Sequence, residues 1–175
     1  EADRRLAELR SHSPKHGGGW LLSGILAMQR QRFADAKTAF ERAATYGADR
    51  RKAKLGLGMA AMGLAESADA WDLFLDAATE HPDDAETLHW LLRAGTALQR
   101  WEQLEPVLSR FVSRNPGGLS LRFALAGVFL RLNRRTDARR EHDSIRLLDP
   151  VFDGLNELAS AIDEQEPVLT HHHAA

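Results

Sequence analysis

The chain has 175 residues, 43% of them hydrophobic, and 23 Lys and Arg against 25 Asp and Glu leave a formal charge of −2. So balanced a charge supplies no bulk attraction to nucleic acid or to an anionic membrane, the attraction that drives binding by counterion release. The absence of cysteine excludes disulfides, thiolate metal sites and cysteine nucleophiles, and the apolar runs fall far short of the roughly 20 residues that span a bilayer.

Along the chain, Pro14, Pro82, Pro116 and Pro150 stand 68, 34 and 34 residues apart, and Ala36, Ala70, Leu104 and Ala138 run beside them at the same step of 34. A fixed period of this size means that each unit buries its apolar face against its neighbours, as in a solenoid. Residues 1–12 come first: Ala2, Leu6, Leu9 and Pro14 take positions 20, 24, 27 and 32 of a unit whose first helix is missing. They are expected to form an orphan second helix, as in a piece cut from a longer array. Units then run 17–50, 51–84, 85–118 and 119–152 without insertion. In the first, Trp20, Gly24, Phe33, Ala36, Phe40 and Ala43 occupy positions 4, 8, 17, 20, 24 and 27; in the second, Leu57, Gly58, Ala61, Ala70, Phe74, Ala77 and Pro82 occupy 7, 8, 11, 20, 24, 27 and 32. Small residues at 8 and 20 let two helices approach, large ones at 4, 7 and 24 fill the remaining space, and Pro at 32 ends the second helix.

The third unit departs from this pattern with Leu92 at position 8 and Phe111 at 27, and the fourth with His142 at 24. Pro106, five residues after Trp101, predicts a late or bent helix start, because proline is tolerated only in the first turn. Trp101, at position 17, is expected in the core. Leu155, Leu158, Ala159 and Ile162 then predict a capping helix over 153–164, and 165–175, with Pro167 and the run His171–His173, reads as a tail.

These residues resemble the tetratricopeptide repeat family, with its Trp, Leu and Gly on a first helix, Ala and an aromatic on a second, and a closing Pro. The resemblance covers residues 1–164 and implies an all-α, right-handed α-solenoid of antiparallel helix pairs, ten helices in all. Only four of the 23 basic residues are Lys, a composition that points to a GC-rich bacterial source. In this family the first helices line a concave groove, chiefly through positions 2, 5, 6, 9, 12 and 13. Carried to this chain, that rule implies a peptide-binding groove of Leu21, Leu22, Ile25 and Met28, then Lys52, Leu55, Met59 and Met62, then His89, Trp90 and Arg93, and finally Phe123, Leu130 and Arg131. All three methionines fall on this face, and methionine suits adaptable binding surfaces. Gly56, Gly63, Ala97, Ala124 and Gly127 are expected to leave room between the larger side chains. Members that grip an acidic C-terminus place Lys and Asn where this chain has Leu21, Ile25 and Gly56, so that clamp is absent.

No nucleotide-binding, zinc-hydrolase, serine-hydrolase or calcium-loop motif occurs. His81, His89 and His142 have no Ser or Cys partner in the pattern, and Asp83 and Asp84 fit turn and N-cap chemistry at a repeat boundary. Two basic clusters, Arg50, Arg51, Lys52 and Lys54, and Arg134, Arg135, Arg139 and Arg140, are candidates for anion contact or for a solvated face. The sequence reads as a soluble, non-enzymatic interaction scaffold without cofactor or metal, taking an apolar peptide or amphipathic helix and neither nucleic acid nor a membrane span. Cytoplasm and periplasm both stay open. The alternative is an adaptor domain of a larger bacterial glycosyltransferase or polysaccharide-export or secretion component.

Overall fold

A computed structural model describes residues 13–164. Among them are nine α-helices and no strand: α1 (Gly17–Gln29), α2 (Phe33–Thr45), α3 (Arg50–Gly63), α4 (Ser67–Glu80), α5 (Ala85–Ala97), α6 (Trp101–Arg114), α7 (Leu119–Arg131), α8 (Arg135–Leu148) and α9 (Leu155–Glu164). The odd-numbered helices α1 to α7 begin at Gly17, Arg50, Ala85 and Leu119, within one residue of the ladder of 34. The orphan helix expected over 1–12 and the tail over 165–175 lie outside the described residues. The chain divides into two compact units, one up to Arg100 and one from Trp101. In the first, α1 packs on α2, α2 on α3, α3 on α4 and α4 on α5, while α1 also touches α3 and α3 touches α5. In the second, α6 packs on α7, α7 on α8 and α8 on α9, with α9 reaching back to α7.

The turns between paired helices repeat one device. Gln31, Ala65, Gln99 and Asn133, again 34 residues apart, all have positive φ, between 55° and 63°. The next residue's amide then donates back to a carbonyl five residues earlier: Arg32 to Ala27, Glu66 to Ala61, Arg100 to Gly95 and Arg134 to Phe129, at 2.8–2.9 Å. This is a Schellman C-cap, which satisfies carbonyls that the helix end would otherwise leave unpaired. A left-handed conformation disfavours side chains other than Gly and Asn, so three of these four turns carry local strain that the helix packing outweighs.

Small residues at position 8 serve as expected. Phe40, only 2% exposed, lies between Gly24 of α1 and Gly56 of α3: a Cβ on either glycine would stand 2.6 Å from the Phe40 ring. Phe74 fills the matching space over Gly58, where a Cβ would come within 2.4 Å. Ala36, Ala43, Ala70 and Ala77 are buried beside them, so close helix approach and ring insertion are two parts of one packing solution. Phe111, the large residue at position 27, is buried and its ring reaches the Cβ space of Gly118.

Two expectations change. Helix α6 starts at Trp101 with Pro106 inside it, neither delayed nor shortened. Loss of one amide donor at Pro106 is offset because the same helix buries Leu104, Leu108, Phe111 and Val112. Trp101 itself is only half-buried, with the Arg131 guanidinium 5.8 Å from its ring centroid.

Candidate binding face on the first helices

In the unit up to Arg100, register positions 6, 9 and 12 form three rows across α1, α3 and α5: Leu22, Gly56 and Trp90; Ile25, Met59 and Arg93; Met28, Met62 and Thr96. Leu22 is 53% and Ile25 42% exposed, although both are large aliphatics on a helix whose other side is packed. Leu21, Met28, Met59, Met62 and Trp90 are half-buried, and Lys52, His89 and Arg93 are exposed. Leu21 and Met28 rest on a core cluster of Ala27, Ala36, Phe40 and Ala60, so they are held from below while part of each side chain stays accessible.

The structure corrects part of the expected groove. Leu55 is buried at 8% exposure and belongs to the core. Gly56 and Gly63 leave no open room, because the rings of Phe40 and Phe33 occupy the space a Cβ would take. Gly127 alone among these glycines faces open space, with nothing within 4 Å of the point where a Cβ would stand. In the unit from Trp101, Phe123 is half-buried, tilted against Phe152 at a centroid distance of 5.6 Å and lying over Gly154. It packs the approach to α9. Leu130 is half-buried and Arg131 exposed.

Trp90 does two things at once. One face stacks on Phe74, 6.0 Å between centroids at an interplanar angle of 24°, and Phe74 is fully buried. The Arg93 guanidinium lies 5.3 Å from the Trp90 ring centroid. Trp90 is therefore both part of the packing and part of the face. His89 places its Nδ1 2.6 Å from the Ala85 carbonyl oxygen of its own helix.

The first basic cluster is neutralised by neighbouring carboxylates. Arg51 donates to Asp84 at 2.7 and 3.0 Å, Arg50 lies 3.5 Å from Glu80, and Lys52 lies 3.8 Å from Asp49. Lys54 is buried and bonds Asp76 at 2.5 Å and Glu80 at 3.0 Å. Desolvation pushes its ammonium toward neutrality, but the hydrogen bonds to Asp76 and Glu80 outweigh it and its pKa is raised. The Asp76 carboxyl is lowered by the same bond. Asp84, at the N-cap position of α5, accepts from Thr87 Oγ1 at 2.6 Å as well as from Arg51; burial raises its carboxyl, and these bonds more than reverse that, so the net shift is downward. In the second cluster, Arg134 and Arg140 both bond Asp137 and Arg139 bonds Asp163.

Lys54 stands at position 4, where the first unit has Trp20. In the first two units position 26 answers position 4: Arg42 lies 4.5 Å over Trp20, and Asp76 pairs with Lys54. Arg122, also at position 4, bonds Glu141 at 2.5 Å with both side chains almost buried, 12% and 14% exposed.

Among the described residues no group of three His, Asp or Glu side chains is placed to hold a metal ion, and no helix is long and apolar enough to cross a membrane. No protein-family model matches the sequence, and no curated protein is significantly similar to it. Solved structures are. YrrB, described as a tetratricopeptide protein with an unusual peptide-binding site, superposes with a TM-score of 0.75 at 14% identity, over 91% of this chain and 82% of its own. MamA gives 0.74 at 16% identity, over 85% and 81%. A tetratricopeptide repeat protein from Parabacteroides merdae gives 0.78 at 12%, over 85% of this chain and 59% of that one. The fold is that of the tetratricopeptide repeat. At such identities the likeness speaks for the backbone alone.

Proposed function

We propose that this chain is a non-enzymatic interaction scaffold whose first-helix face in the unit up to Arg100 takes an apolar segment of a partner protein, in helical form. The observation that carries this reading is the exposure of Leu22 and Ile25 on α1, with the half-buried Met59 of α3 continuing the row of Ile25 and Met62 that of Met28. Apolar side chains gathered in one patch on a folded surface mark a contact site, and thioether side chains adapt to varied partner shapes. The spacing of Leu22 and Ile25 suits an amphipathic helix laid in a groove, which binds through side chains of its own at intervals of three and four. YrrB supports the reading only as a precedent for peptide binding on this fold.

The test is selection from a displayed library of random 16-residue peptides on the immobilised protein and on the double variant Leu22→Asp, Ile25→Asp. Wild type is expected to enrich peptides with apolar residues at helical spacing, and the double variant to lose them while its thermal melt stays close to wild type. Equal enrichment on both proteins overturns the reading.

A further inference from the structure

The three rows of the face carry a single charge. Leu22, Ile25 and Met59 are apolar, as are their neighbours in the rows apart from Thr96, and Arg93 alone is ionised. Among the described residues no carboxylate lies within ion-pair distance of Arg93, whereas on the adjacent first helix Arg51 has one and Lys54 two. Arg93 is nonetheless held in place: its guanidinium lies over Trp90, and Trp90 stacks on the fully buried Phe74. It is a pre-positioned cation at the α5 end of three rows that otherwise carry no charge. A wholly apolar segment lying across this face would strip water from that cation and leave it unpaired, a large cost unless the partner brings an anion.

We infer that the partner segment carries an Asp or Glu side chain that Arg93, steadied by Trp90, receives. This rests on the proposed binding face and adds a polarity to it. Ile25, Met59 and Arg93 share position 9 on three successive first helices. Two interhelix spacings of about 8–10 Å separate the ends of that row, roughly 16–20 Å in all. On the helical partner segment the carboxylate therefore sits about 11–13 residues from the side chain that meets Ile25. The guanidinium supplies two parallel N–H donors to such a carboxylate, while the indole beneath limits the freedom lost on binding.

The experiment repeats the peptide selection on wild type, Arg93→Gln and Arg93→Lys, with the peptide C-terminus fused to the display protein so that only side-chain carboxylates are offered. Peptides from wild type are expected to carry Asp or Glu at one end of the apolar stretch. Replacing that residue by its amide is expected to weaken binding to wild type about tenfold, to change binding to Arg93→Gln less than about twofold, and to give an intermediate loss on Arg93→Lys, which keeps the charge without the fork. Acidic residues enriched equally on wild type and Arg93→Gln, or no acidic enrichment at all, overturn the inference while the apolar face stands. Selection that ignores Leu22→Asp, Ile25→Asp overturns the face itself.

Discussion

Alanine in place of glycine has opposite consequences at two mid-helix sites, Gly58 of α3 and Gly127 of α7. In a helix interior the change by itself contributes about 1 kcal/mol of stability, because glycine loses more backbone freedom on folding. At Gly127 nothing lies within 4 Å of the new methyl, so most of that gain is kept. At Gly58 the methyl would meet three ring carbons of Phe74 at 2.4, 2.7 and 2.9 Å, against an ordinary carbon contact of about 3.5–4.0 Å. Phe74 cannot swing away, since it is fully buried and stacked on Trp90. Overpacking of a rigid core costs up to about 3 kcal/mol, which leaves a net loss of about 2 kcal/mol once the propensity gain of about 1 is subtracted. At about 2–4 °C per kcal/mol for a chain of this size, Gly58→Ala lowers the melting temperature by about 4–8 °C and Gly127→Ala raises it by about 2–4 °C. Thermal melts followed by circular dichroism read both. Phe74→Leu should cost less in the Gly58→Ala background than in wild type, because the two changes act on one contact. Equal upward shifts for Gly58→Ala and Gly127→Ala would refute the ring-over-glycine packing.

Two further outcomes concern stability. Asp76→Asn should lower the melting temperature by a constant amount wherever the Lys54 pair is fully ionised. Lys54 has a raised pKa, so its contribution is complete below its ordinary 10.5 and lost as pH climbs through the higher folded value. Asp76 has a lowered pKa, so its contribution is complete above 3.8 and lost as pH falls through the lower folded value. The difference between wild type and variant is therefore flat between the two ordinary values, 3.8 and 10.5, and closes as pH falls through the lowered folded value of Asp76 or climbs through the raised one of Lys54, which melts across a pH series will show. Ala65→Gly should stabilise the chain by about 1 kcal/mol, because Ala65 holds φ at 63° where glycine carries no Cβ penalty; urea unfolding of the variant measures it, and a loss of stability would mean that the turn is not strained.

The period of 34 and the pairing of Gly24 with Phe40 and of Gly58 with Phe74 were readable from residue order, because helical repeats impose the same local packing at the same step. Arg50, Gly17, Ala85 and Leu119 open their helices where that ladder puts them, to within one residue. Positive φ at Gln31, Ala65 and Gln99 was not readable, since these residues have no preference for it and the surrounding helix pair imposes it. Nor could the ladder separate surface from core within one helix face: Leu55 is buried while Leu22 and Ile25 are exposed, a distinction set by what the neighbouring helices place against each side chain. Charges show the difference most plainly. Four basic residues from Arg50 to Lys54 look alike in sequence, yet Lys54 is buried between Asp76 and Glu80, while Arg93 rests on Trp90 with no carboxylate beside it among the described residues. Pairing across helices depends on contacts between residues some 20 to 30 positions apart, and those distances exist only once the helices have packed.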